Sequence, residues 1–201
     1  MRFPMVMLLM FGLSGEVVTA GDIEEPRWRL LGEVDSVELR YYEPSIQATT
    51  TLRSSRETSA GFRRLAGFIF GDNSGARKIA MTAPVQETLQ TKQPVMAFTM
   101  PAAYTLDELP TPSDPRITVK AIPGKTVAIV RFSGWATQSK IARKRAELLA
   151  SLQRHDIDTV GFASLNQYNT PWTPPFLRRN EIMVEISSLG LASAMPLQPG
   201  G

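Results

Sequence analysis

Val37-Glu38-Leu39-Arg40, followed by Glu43-Pro44-Ser45-Ile46-Gln47-Ala48, lines up without gaps on Ile117-Thr118-Val119-Lys120, followed by Pro123-Gly124-Lys125-Thr126-Val127-Ala128. Each copy alternates apolar and polar residues around a Pro-containing turn, which reads as strand, turn, strand. In both copies the strands lead into a segment of helical period and then into further strands. The repeat predicts two similar β-rich halves, each with one helix, related by a pseudo-twofold axis. The expected architecture is α+β, a distorted β-barrel of two pseudo-symmetric halves, each flanked by one α-helix. Clefts form readily where such halves meet.

Working outward from the repeat, Trp28–Glu33 reads as a strand that turns at Asp35-Ser36 into Val37–Tyr42. Ile46–Leu52 is threonine-rich strand. Thr58 is placed as the N-cap of a helix carrying Phe62, Leu65, Ala66 and Ile69 and ending near Phe70-Gly71. Lys78–Val85 reads as a short strand stopped by Pro84, and Val95–Met100 as another. Ile117–Ile122 and Thr126–Phe132 are expected to form a hairpin about Pro123-Gly124. The longest helix runs from about Thr137 to Arg154, with Ile141, Leu148, Leu149 and Leu152 as its apolar stripe. Val160–Leu165 and Ile182–Ile186 close the domain, which is bounded at 25–186; residues 187–201 read as a flexible tail.

The first twenty residues have the pattern of a secretory signal peptide. Arg2 is followed by an apolar run from Phe3 to Leu13, and Val18-Thr19-Ala20 offers a small-residue cleavage site. The run is too short for a transmembrane helix. The expectation is export to the periplasm or beyond, with no stable membrane anchor after cleavage. The chain holds no cysteine, which excludes disulfides, thiolate metal sites and cysteine nucleophiles. Its net charge of +3 is small, and no basic run is interleaved with aromatics, so nucleic acid is not an expected partner.

Tyr168 to Glu181 (Tyr-Asn-Thr-Pro-Trp-Thr-Pro-Pro-Phe-Leu-Arg-Arg-Asn-Glu) stands apart. Three prolines fix φ and remove donors, so this segment is a stiff extended strap and not helix or central strand. It presents Trp172 and Phe176 with Arg178 and Arg179 behind them. Two readings stand: the aromatics cap the core, or they dock a ligand at low entropic cost. Arg178 is equally readable as an ion-pair partner of Glu181. The sole histidine, His155, follows the long helix beside Asp156, where a helix C-terminus suits a cation. It leaves no Ser/His/Asp set, and the chain is not expected to be an enzyme.

Taken in order, Lys78–Val85, Phe98-Thr99-Met100-Pro101 with Tyr104-Thr105, Leu109–Pro112, Val127–Gly134 and Tyr168–Glu181 resemble the SOUL haem-binding protein family from about Glu25 to Ile186. The resemblance implies a barrel of two pseudo-symmetric halves and a shallow apolar cleft beside the first helix that binds haem or another tetrapyrrole. Carried over by position, it implies Phe62, Leu65, Phe68, Met81, Trp172 and Phe176 around the plate, and Arg64, Lys78 and Arg178 for the propionates. Phe62 and Leu65 at helical spacing are also readable as core. Some family members place a histidine on the loop before the first helix, where this chain has Arg53-Ser54-Ser55-Arg56. The expected ligation is therefore weak or absent, with Met81 as a weak candidate, and the role that of a non-catalytic carrier or buffer. The topology also looks like the gyrase-inhibitory-protein-like small-molecule-binding domains, so another flat hydrophobic molecule is the alternative ligand.

Overall fold

The computed structural model describes residues 23–187 apart from Ser55. The expected signal peptide, and all of the expected tail but Ser187, lie outside the described residues. Nine strands and two helices follow in the order β1 (Trp28–Val34), β2 (Val37–Tyr42), β3 (Ser45–Thr51), α1 (Thr58–Phe70), β4 (Val85–Thr88), β5 (Val95–Thr99), β6 (Ile117–Ile122), β7 (Lys125–Phe132), α2 (Gln138–Arg154), β8 (Thr159–Gln167) and β9 (Asn180–Ile186).

All nine strands join one antiparallel sheet, in the order β1-β2-β7-β9-β8-β4-β5-β3-β6. Leave out the edge strand β1, and the order reads the same from either end when β2 exchanges with β6, β3 with β7, β4 with β8 and β5 with β9. The sequence repeat specifies the first two of these exchanges and the sheet order adds the other two, so the two pseudo-symmetric halves are present. The sheet curls as a half-barrel, with α1 packed on β3 and β5 and α2 on β7, β8 and β9.

The hairpin expected about Pro123-Gly124 is not formed. β6 pairs with β3, while β7 pairs with β2 and β9. The register runs from Glu38↔Ile129 to Tyr42↔Lys125 and resumes as Ser45↔Ile122 to Thr50↔Ile117. Two long bent strands therefore run antiparallel, and their Pro-containing corners face each other. Each corner carries its chain from one half of the sheet to the other. Gly124 permits this crossing, because a Cβ there would lie 2.2 Å from the Tyr41 hydroxyl.

A second correction concerns Lys78–Val85. The strand begins at Val85, after the cis Ala83–Pro84 bond. Before it, the Ile79 amide donates to the Ile69 carbonyl and the Ala83 amide to the Glu24 carbonyl. These donors go to the helix end and the N-terminal lead-in, so no ladder forms. Thr58 is the first helical residue, and Glu57 holds the cap position. The longest helix runs as expected, and Thr137 caps it, accepting from the Lys140 amide.

Each half has its own core. Leu39, Val130, Leu148, Leu152, Leu165 and Ile182 fill the space under α2. Ala48, Leu52, Leu65, Phe68, Ile69, Met96 and Phe98 fill the space under α1. Gly61 brings α1 close to the sheet, since a Cβ there would lie 2.4 Å from Leu52 Cδ2. The helix-free face is polar at its centre: Gln47 donates to Gln86 (3.3 Å), and Gln86 to Ser164 (2.9 Å).

Candidate ligand groove and aromatic strap

β4 and β8 lie side by side at the centre of the sheet, with Val85 opposite Gln167 and Glu87 opposite Leu165. Over this pair the N-terminal turns of α1 and α2 converge and leave a groove of about 470 Å³, within the range of small-molecule sites, about 300–1,000 Å³. Thr58 and Gln138 begin its two helical walls, the β4–β5 loop (Leu89 to Pro94) closes one end, and Leu165 and Gln167 line its floor. The strap leaves β8 directly after Gln167, so it stands at the opposite end.

The groove is mixed in character. Leu89, Pro94, Ala136, Ile141 and Leu165 give it apolar surface, while Arg53, Lys92 and Arg145 add positive charge. The N-termini of two helices add partial positive charge. Arg145 Nε is buried with no protein acceptor. One carboxylate, Glu87, also lines the groove; burial pushes its pKa up, opposed by the hydrogen bond that Thr58 Oγ1 donates to it (3.3 Å). This donor set suits an anionic ligand. The lining contains no histidine, methionine, tyrosine or cysteine to offer an iron an axial ligand.

The structure places the nine residues expected at the site as follows. Leu65 and Phe68 are fully buried in the core under α1 and cannot touch a ligand in an open cleft. Phe62 is half-exposed and meets Phe98 edge-to-face, with centroids 5.4 Å apart. Arg64 donates to Thr50 Oγ1 (2.6 Å) and lies 3.6 Å from Asp114, so its charge is engaged within the fold. Met81 packs partly buried against the same core. Lys78 is exposed beyond the C-terminal end of α1, a helix length of roughly 20 Å from the groove. Trp172 and Phe176 stand in solvent and are not among the residues lining the groove, so the strap does not roof it.

The reason lies in how the strap is held. Arg178 donates to the carbonyls of Thr173 (2.9 Å) and Pro171 and stacks 3.9 Å above the Trp135 ring. The Gly134 amide donates to the Pro175 carbonyl (2.8 Å). The strap is folded on itself and pinned to the corner before α2. Arg178 is thus a staple for its own loop, and Glu181 takes other partners.

Glu181 is wholly buried, with Arg40 (3.4 Å), Arg131 (3.4 Å) and the Tyr168 hydroxyl, which donates to it at 2.6 Å. Burial pulls the Arg40 guanidinium down, but the Glu181 and Glu38 carboxylates outweigh it and hold it charged. Burial, and then the Glu181 charge, push the Tyr168 and Tyr42 phenols up, so neither is a tyrosinate ready for a metal. Arg179 stacks on Tyr168 and pairs with Glu25, and Asn180 donates to the Gly134 carbonyl (2.9 Å). All four residues of Arg178-Arg179-Asn180-Glu181 are engaged within the fold, Arg178 in the strap itself and the others at its root. Sequence reasoning missed Arg53, Lys92, Arg145 and Glu87, and the repeat, which ends at Ala48 and Ala128, carried no signal for them. His155 pairs with Asp35 (3.4 Å) at the end of α2.

A model of the SOUL heme-binding protein family matches residues 23–185. Heme-binding protein 2 of Mus musculus is 26% identical over 188 residues, covering 81% of this chain and 90% of the relative. Heme-binding protein 2 of Homo sapiens is 26% identical over 194 residues, covering 84% and 92%. Among solved structures, the EcmrR C-terminal domain superposes with a TM-score of 0.59 at 10% identity, over 75% of this chain and 96% of that one. The last likeness concerns the fold alone.

Proposed function

The chain belongs to the SOUL heme-binding protein family, and we propose that it binds haem or a related tetrapyrrole as a non-catalytic carrier or buffer, exported to the periplasm. The observation that carries this reading is the groove between the two helix N-termini, which combines an apolar wall with Arg53, Lys92 and Arg145. Arg145, whose Nε lacks an acceptor, and its two neighbours in charge would hold the propionates by charge-assisted hydrogen bonds. Leu89, Ala136, Ile141 and Leu165 would lie against the porphyrin. When bound, haem supplies the iron and its redox chemistry; the lining offers it no axial side chain. A site of this kind releases its guest readily, which suits a carrier. The N-terminal pattern of Arg2, the apolar run and Val18-Thr19-Ala20 supports export.

Haem titrated into the purified chain should shift the Soret band and saturate near one equivalent. No shift at micromolar protein would end the reading. Because the lining holds none of the usual axial residues and would bind a plate by apolar contact, another flat hydrophobic molecule is the second reading. A metal-free porphyrin that binds as tightly as haem would favour that class over iron-specific binding.

A further inference from the structure

The strap tip is an apolar surface without a role in the groove. Trp172 is 89% exposed, Phe176 75%, Leu177 62% and the neighbouring Trp135 56%. They belong to one corner, because the Gly134 amide is bonded to the Pro175 carbonyl and Arg178 lies on the Trp135 ring. Singly exposed apolar residues need no explanation, whereas a cluster of large ones on one projection does. Water does not stiffen such a loop; Pro171, Pro174, Pro175 and the bonds of Arg178 to Pro171 and Thr173 do. The tip is held out in advance of whatever it meets, with little entropy left to lose.

Charge identifies the partner. Neither Asn169–Asn180 nor Arg131–Ala146, the two segments that build this corner, contains an aspartate or glutamate. The bonds of Arg178 end on the neutral carbonyls of Thr173 and Pro171, and that of Lys140 on the neutral carbonyl of Ser133. Arg143 and Lys144 follow in the first two turns of α2, compensated by Glu147. Arg131 and Arg179, at the far ends of these segments, are paired with Glu38, Glu181 and Glu25. Tryptophan, phenylalanine and leucine on the exposed tip, beside Arg178 and Lys140 whose bonds end on carbonyls, match a bilayer interface with anionic headgroups. Side chains this exposed can enter a lipid surface without needing a preformed pocket. No helix among the described residues is long and apolar enough to cross a membrane, so the contact is peripheral.

We propose that the corner formed by Trp172, Phe176, Leu177 and Trp135, with Arg178 and Lys140, docks the protein on the surface of an anionic phospholipid bilayer. This goes beyond haem binding and stands without it, although a carrier of a membrane-soluble guest gains from such a dock.

The test uses the chain from Gly21, which keeps every strand, both helices and both cores and removes the apolar N-terminus as a source of binding. Without haem, it is sedimented with vesicles of phosphatidylcholine alone and of phosphatidylcholine with phosphatidylglycerol. The expected result is binding to the anionic vesicles, weakened by salt. W172A/F176A/L177A should lower the partition coefficient by about tenfold or more with an unchanged circular dichroism spectrum and urea midpoint. K140E should weaken binding to anionic vesicles only. Equal partition of the wild type and the triple variant would overturn the proposal. So would tight binding to heparin or duplex DNA with none to vesicles, which would point to a polyanion partner. Vesicle binding in a chain that fails the haem titration would leave this proposal standing and remove the other.

Discussion

Arg40 on β2 and Glu181 on β9 face each other inside the protein at 3.4 Å, each side chain 1% exposed. Neither charge touches water, and each is tied further, Arg40 to Glu38 at 2.5 Å and Glu181 to Arg131 and Tyr168. Removing Arg40 leaves the buried Glu181 carboxylate with the half-exposed Arg131 as its cation and a phenol as its other partner, too little to offset its burial. Arg40→Met should therefore lower stability by about 3–5 kcal/mol, measured as a fall in urea midpoint. Arg40→Met with Glu181→Leu should recover a large part of that loss. A single variant as stable as the wild type would show the pair to be idle.

Glu87 carries the next prediction. Burial raises its pKa above the ordinary value of 4.5, so the folded state holds its proton more tightly than the unfolded chain does. Stability from this residue is therefore greatest below pH 4.5 and is lost as pH rises through the folded pKa. Glu87→Gln should be more stable than the wild type at neutral pH and gain little at pH 4. Denaturation curves at the two pH values check the sign.

The same carboxylate opposes an anionic guest. In haem titrations Glu87→Gln should bind more tightly than the wild type, whereas Arg145→Glu and Arg53→Glu should each weaken binding roughly tenfold. If all three leave the affinity unchanged, the tetrapyrrole lies outside the groove.

At the corner between β6 and β7, Gly124→Ala would drive a methyl group against the Tyr41 ring, whose Cζ would be 2.9 Å away, with the Tyr42 carbonyl at 3.2 Å. The expected cost is about 1–3 kcal/mol. In a Tyr41→Ala background most of it should vanish, since the ring is then gone. Thermal unfolding of the four chains measures this coupling.

Much of the fold was legible. The periodicity of Phe62, Leu65 and Ile69 marked α1, and that of Ile141, Leu148 and Leu152 marked α2. The match of Val37–Ala48 to Ile117–Ala128 located the symmetry. The pairing of β6 with β3 was hidden, because a strand's partner depends on closure far along the chain, while the pattern within it records only which face is buried. Arg64 looks like a free cation in sequence and Arg178 like either a free cation or a partner of Glu181, because Asp114 and the Pro171 carbonyl are not visible there as their neighbours. The basic and aromatic corner shows the same limit. No basic run is interleaved with aromatics along the chain, yet folding sets Trp135 and Lys140 beside Trp172 and Phe176.

Local chemistry alone settled the strap's stiffness, the two helices, the duplicated halves and the lack of any thiol, since prolines, apolar spacing and residue identity act within a few positions. Which carboxylate sits beside Arg40, which cations remain uncompensated and where a groove opens were decided only on folding. Those outcomes depend on distances between segments as far apart as Arg53 and Arg145, and Coulomb forces and packing register distance in space, not separation along the chain.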